Sequence, residues 1–246
     1  MHRVASASVR EMKLLSMASA GLCWTASAQH GHLNTGALGQ NQGDKLAFIN
    51  GSIFAEQSGY AKAMTAQSSG TYSGFYQGSI TLTALPTTVA NGGPAAGASA
   101  PGSFLEARIA SVQGPAGGYF SFWEEGATAP TVSYQTGTTG GTTTFALSDV
   151  STGAGTVGGD PFGHLHGRTF TTTLPGEYTV GISLIDSSKN GSNGGAIHVD
   201  SDTLFIRFQT VPEPGTSALL GVGGAALVVG MGWRHRNRRL SHVKGQ

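Results

Sequence analysis

Leu174-Pro175-Gly176-Glu177-Tyr178-Thr179-Val180-Gly181-Ile182-Ser183-Leu184 decides the fold class. After the Pro-Gly turn, Tyr178, Val180, Ile182 and Leu184 fall on every second position, the period of a strand with one buried face. The same alternation recurs at Ile80, Leu82 and Ala84, at Leu105, Ala107 and Ile109, and at Leu204, Ile206 and Phe208. With residues 46–53, 119–123, 131–134, 142–147 and 168–173 this predicts about nine strands. The separators are turn material, such as Asn91-Gly92-Gly93-Pro94, Gly114-Pro115, 137–141, 153–159 and Asn190-Gly191. No clean helical stripe exceeds two turns, and no internal repeat is long enough for a solenoid. An all-β domain is therefore expected, a β-sandwich or jelly roll.

Working outward, residues 29–210 hold six basic against eleven acidic side chains, a net −5. Only 11% of the 246 residues are charged, below the roughly 25% of an average soluble protein, so nucleic acid is excluded as a partner. The positive excess sits at the ends. Arg3, Arg10 and Lys13 precede apolar residues 14–26, and Ala26-Ser27-Ala28 supplies the small residues that signal peptidase requires, so 1–28 reads as a signal peptide. Met12 would serve equally as its start. Cys23 is the chain's single cysteine and lies inside this segment. The mature domain must then hold without disulfides.

At the other end Val211-Pro212-Glu213-Pro214 is followed by uncharged residues 216–233 and then by Arg234, Arg236, Arg238 and Arg239. Eighteen residues rise about 27 Å as a helix, close to the hydrocarbon thickness of a bilayer. Residues 211–246 are thus expected to carry one transmembrane helix in the inner membrane, with the arginines as its cytoplasmic stop-transfer signal. This combination resembles the PEP-CTERM sorting signal of Gram-negative bacteria. The resemblance implies exosortase as partner, cleavage near Pro212 to Pro214, and delivery to the envelope, surface or exopolysaccharide matrix.

His164-Leu165-His166 places two imidazoles at i and i+2, on one face of an extended segment and at a spacing from which both can ligate one metal. His30-Gly31-His32 repeats it, and His198-Val199-Asp200 adds a third imidazole with a carboxylate. A divalent site for Zn, Cu or Mn drawn from His32, His164, His166, His198 and Asp200 is the concrete hypothesis. In the other reading these histidines satisfy loop backbone between Gly-rich turns.

Gly31-His32-Leu33-Asn34, the run Gly114-Pro115-Ala116-Gly117-Gly118-Tyr119-Phe120-Ser121-Phe122-Trp123, and Gly163-His164-Leu165-His166 with Phe170, Pro175-Gly176, Tyr178 and Val180 together resemble the choice-of-anchor M surface domain. The resemblance spans about residues 30–210 and implies metal handling. It departs at Gly167-Arg168, where the actinobacterial form has a small residue, Asn and Trp. Pro175-Gly176-Glu177-Tyr178 separately resembles the tyrosine corner of immunoglobulin-like sandwiches, a structural feature.

Asp186-Ser187-Ser188-Lys189-Asn190-Gly191 has oxygen ligands at calcium-loop positions, but Ile197 stands where the bidentate acid belongs, which favours a hairpin turn. No Gly-x-Ser-x-Gly occurs, and Glu124-Glu125 would point to opposite faces of a strand. The expectation is a non-enzymatic surface or matrix protein. The alternative is a polysaccharide-binding or polysaccharide-processing module using Tyr72, Phe75, Tyr76 or Trp123. In a third reading the domain is purely structural.

Overall fold

A computed structural model describes residues 31–164 and 166–211. The expected signal peptide, Cys23, His30, Pro212 to Pro214, the span 216–233 and the arginine cluster lie outside them. Among the described residues no helix is long and apolar enough to cross a membrane.

The all-β expectation holds, with more strands than the nine read from sequence. In chain order they are β1 (His32–Ala37), β2 (Leu46–Phe48), β3 (Lys62–Ala66), β4 (Tyr76–Gly78), β5 (Thr81–Ala84), β6 (Leu105–Gln113), β7 (Tyr119–Trp123), β8 (Val132–Gln135), β9 (Thr144–Ala146), β10 (Gly163–His164), β11 (Thr169–Thr172), β12 (Glu177–Asp186) and β13 (Leu204–Val211). β1, β3, β4 and β10 were not expected. They are short or built from small and polar residues, so no run of alternating large apolar residues marks them. The strand expected over 46–53 stops at Phe48 and gives way to a one-turn helix, Gly51–Phe54.

Two sheets result. A small one has the order β10-β5-β1-β2 and a large one the order β8-β7-β11-β4-β3-β13-β12-β6-β9. Their inner faces share one core, to which the small sheet gives Leu33, Leu46 and Leu82 and the large sheet gives Ile109, Val180 and Ile206. The large sheet curls strongly. Phe122 on β7 stacks on Phe145 of β9, 3.8 Å between ring centroids, although these strands stand near opposite ends of the sheet order. Phe170 and Phe208 complete the lining, with Phe120 4.8 Å from Phe208 and 5.5 Å from Phe170. The Tyr134 hydroxyl on β8 accepts from the backbone N–H groups of Thr142 and Thr143, tying the β8 edge to the approach of β9.

The tyrosine corner forms as the sequence suggested. The fully buried Tyr178 hydroxyl donates to the Leu174 carbonyl at 3.1 Å and lies 3.3 Å from the Leu174 N–H. Gly118 is needed above it, because a Cβ there would sit 2.5 Å from the phenolic oxygen. Burial also raises the Tyr178 pKa above its usual value. Replacing Tyr178 by Phe should therefore cost about 0.5–1.5 kcal/mol in urea unfolding, the net contribution of a typical hydrogen bond; an unchanged midpoint would remove the corner from the account of stability.

Candidate functional site

The small sheet assembles a histidine cluster. β10 runs antiparallel to β5 with His164 opposite Thr83, and β1 runs parallel to β5 with His32 opposite Thr81. Because side chains alternate along each strand, His32, Thr83 and His164 share the face opposite to Leu33 and Leu82. Gly163 permits the approach of β10, since a Cβ there would collide with the Leu147 carbonyl.

Thr83 organises the rings. Its hydroxyl lies 3.2 Å from His32 Nδ1 and 3.0 Å from His164 Nδ1, and the two imidazoles stack with centroids 4.7 Å apart and planes 7° from parallel. His166 meets His164 edge-on at 4.3 Å. A threonine oxygen has two acceptor lone pairs, so both rings can donate Nδ1–H to Thr83 and present unprotonated Nε2 atoms, the tautomer a metal requires. The rings adjoin without converging. Among the described residues no group of three or more His, Cys, Asp and Glu side chains stands in a metal-holding arrangement.

Of the five residues expected to form one site, the structure brings together three. His198 is buried beside the opposite edge of the small sheet, where Val199 bridges to Lys45 ahead of β2. Its Nε2 accepts from the Ala100 N–H at 2.9 Å and its Nδ1 donates to the Asp44 carbonyl at 2.9 Å, so neither nitrogen is left for a ligand. Asp200 is committed to Arg108 at 3.5 Å. The Asp186 carboxylate accepts four backbone N–H groups, from Phe104, Ser188, Ile197 and His198, which makes the calcium-like segment a structural clamp.

Glu124 and Asp202 are also engaged. Glu124 holds Arg168 through two contacts, 2.7 Å to Nε and 3.1 Å to Nη2, and Asp202 pairs with Lys45. Trp123 is buried with its indole N–H on Thr171 Oγ1, and Tyr72 and Phe75 pack edge-on against it. With Trp123 buried and Tyr72, Phe75 and Tyr76 half-buried, these residues form no open aromatic row.

Sequence reasoning missed Thr83, which looked like one more polar residue in an alternating strand. It also missed a cavity of about 360 Å³ between the sheets, with His166 and Arg168 at its side. Its walls come from segments distant in sequence, so no local pattern announces it.

A family model for the PEP-CTERM protein-sorting motif matches residues 210–239, overlapping the last two residues of β13. No curated protein and no solved structure matches the chain. The motif supports an exported protein sorted by exosortase, a membrane-anchored precursor processed at the cell envelope. Apart from those two residues it leaves the β domain uncovered, so the choice-of-anchor M resemblance gains nothing from these comparisons.

Burial and the neighbouring His166 and His32 hold the His164 pKa below its ordinary 6.5. The unfolded chain therefore takes up this proton at higher pH than the folded one. The stability contributed by the neutral ring is complete above pH 6.5 and is lost as pH falls through the lower folded-state value. Melting temperature in EDTA should decline below pH 6.5, and the decline should flatten in His164→Gln; equal slopes for both proteins would contradict this assignment. His198→Ala should cost about 1–3 kcal/mol in urea unfolding by stranding the Ala100 N–H, and no loss of stability would contradict its role as a backbone clamp.

Proposed function

We propose that the β domain is a non-catalytic surface or matrix domain of a Gram-negative bacterium that binds one divalent transition metal ion, Zn, Cu or Mn, through His32, His164 and His166. The observation that carries the reading is the stacked His32–His164 pair on Thr83, with His166 against it. Both Nδ1 atoms are occupied by a hydroxyl, as in metal sites where an outer partner fixes ring orientation and tautomer. His166 is exposed and lies in the connection between β10 and β11, so turning its ring toward the Nε2 edges requires no repacking of the core. Burial and the neighbouring imidazoles disfavour protonation of His164, which keeps its ring in the neutral form that a metal requires. His198 and Asp200 take no part.

Glu124 is paired with Arg168, Asp200 with Arg108 and Asp202 with Lys45, which favours binding over turnover at these carboxylates. The sorting motif supports export of the chain, and outside the cytoplasm a histidine cluster with His166 exposed and His32 and His164 half-buried would meet metal ions directly. Exosortase cleavage near Pro212 to Pro214 would then release it to the surface or to the exopolysaccharide layer.

Metal content and calorimetric titration of the full chain with Zn²⁺, Cu²⁺ and Mn²⁺ test this. One ion per chain is expected, lost in the His164→Ala/His166→Ala double variant and held about 10–100-fold more weakly in Thr83→Val, the range seen when an outer-shell partner is removed. No bound ion, with a melting temperature indifferent to all three metals, would overturn the proposal.

A further inference from the structure

The end of the large sheet where β13 stops is free of charge. The pairing registers bring the last residues of β3, β6, β11 and β13 to this end, together with the first residues of β4, β7 and β12. Four connections cap it, residues 67–75, 114–118, 136–143 and 173–176, and none of them holds an Asp, Glu, Lys or Arg. The opposite end differs. Its connections carry Glu124 and Glu125 after β7, Asp149 and Asp160 after β9, and Lys189, Asp200 and Asp202 after β12.

The uncharged end also shows apolar side chains, with Tyr119 42%, Leu174 37% and Val211 46% exposed. Backbone bonds tie their segments together. The Thr173 N–H donates to the Tyr119 carbonyl, the Thr210 N–H to the Gly176 carbonyl and the Gly176 N–H to Thr210 Oγ1. Thr136 Oγ1 donates to the Pro115 carbonyl, so polar groups of the turns are partly satisfied within the protein and lose less when water leaves.

The exit of the chain says what this end faces. Val211 closes β13 and already belongs to the sorting motif at 210–239. The uncharged run 216–233 begins five residues further on, no more than about 18 Å away at full stretch. The ten residues of β12 span about 33 Å, which puts the charged end beyond that reach. We propose that in the membrane-anchored precursor the uncharged end rests on the phospholipid surface, with Tyr119 and Leu174 at headgroup level. Tyrosine favours that depth, and no fixed charge on the four connections has to leave water. His166 precedes β11, which starts at the opposite end, so the histidine cluster stays open to the aqueous side.

The contact is independent of metal binding and is tested with EDTA present. The full chain with Cys23→Ser is reconstituted in phosphatidylcholine vesicles and carries a fluorescent label at Ala116→Cys or at Thr128→Cys, exposed positions at the uncharged and charged ends. A nitroxide on the lipid headgroup should quench the label at position 116 strongly and the label at position 128 not at all. Leu174→Glu should bring quenching at position 116 down toward the level at position 128. If Leu174→Glu does not melt as the parent does, Ser69→Glu, in an exposed turn, decides. Equal quenching at the two positions, or quenching unchanged in the folded glutamate variant, would overturn the proposal. So would a label at position 116 that is shielded only in native inner-membrane vesicles, a result that would assign this end to a protein partner.

Discussion

The curl of the large sheet is held where Phe122 on β7 and Phe145 on β9 stack, near its two ends. Both rings belong to the core that the two sheets share. The residues described contain no cysteine, so the curled shape is held by burial and backbone pairing alone, without the covalent staples common in exported domains. Each ring removed from water contributes on the order of 1.5–3 kcal/mol, and edge-on or offset packing adds to this. Phe120, Phe170 and Phe208 extend the seam across β7, β11 and β13, and Tyr178 on β12 abuts Phe120. The curl carries β7, β9 and β11 around to face β5, and the space left between them is the inter-sheet cavity.

The small sheet plays the complementary role. Its inward side chains complete the core, and its outward side chains are free to carry chemistry. Thr83 joins the two functions, being a buried residue whose hydroxyl fixes two imidazoles from strands on either side. That arrangement needs a parallel pair, β1 beside β5, and an antiparallel two-residue strand, β10, brought in tightly at Gly163. His166 lies at the junction, touching His164 on one side and lining the cavity on the other.

The fold was legible wherever large apolar residues alternate. β12, β13, β6 and β7 were read correctly because one face of each must be buried, and the Pro175-Gly176-Tyr178 corner followed from the same logic. β1 and β10 were not legible, since His32-Leu33-Asn34-Thr35-Gly36-Ala37 and Gly163-His164 have too little apolar contrast to reveal a face. The candidate site suffered from the same blindness. Spacing paired His164 with His166, but His32 adjoins them only because β5 lies between β1 and β10, a topological fact that no local pattern encodes. His198 and Asp200 followed the ligand pattern in sequence, yet their atoms serve the backbone and Arg108.

The central claim is that three imidazoles, and no carboxylate, take one ion. X-ray absorption at the zinc edge, on the full chain loaded with one equivalent of Zn²⁺, tests it most directly. The account predicts three imidazole nitrogens at about 2.0–2.1 Å, with the imidazole scattering pattern reduced in His32→Ala as well as in His164→Ala. A zinc shell of oxygen atoms alone, or one unaltered by either substitution, would contradict it.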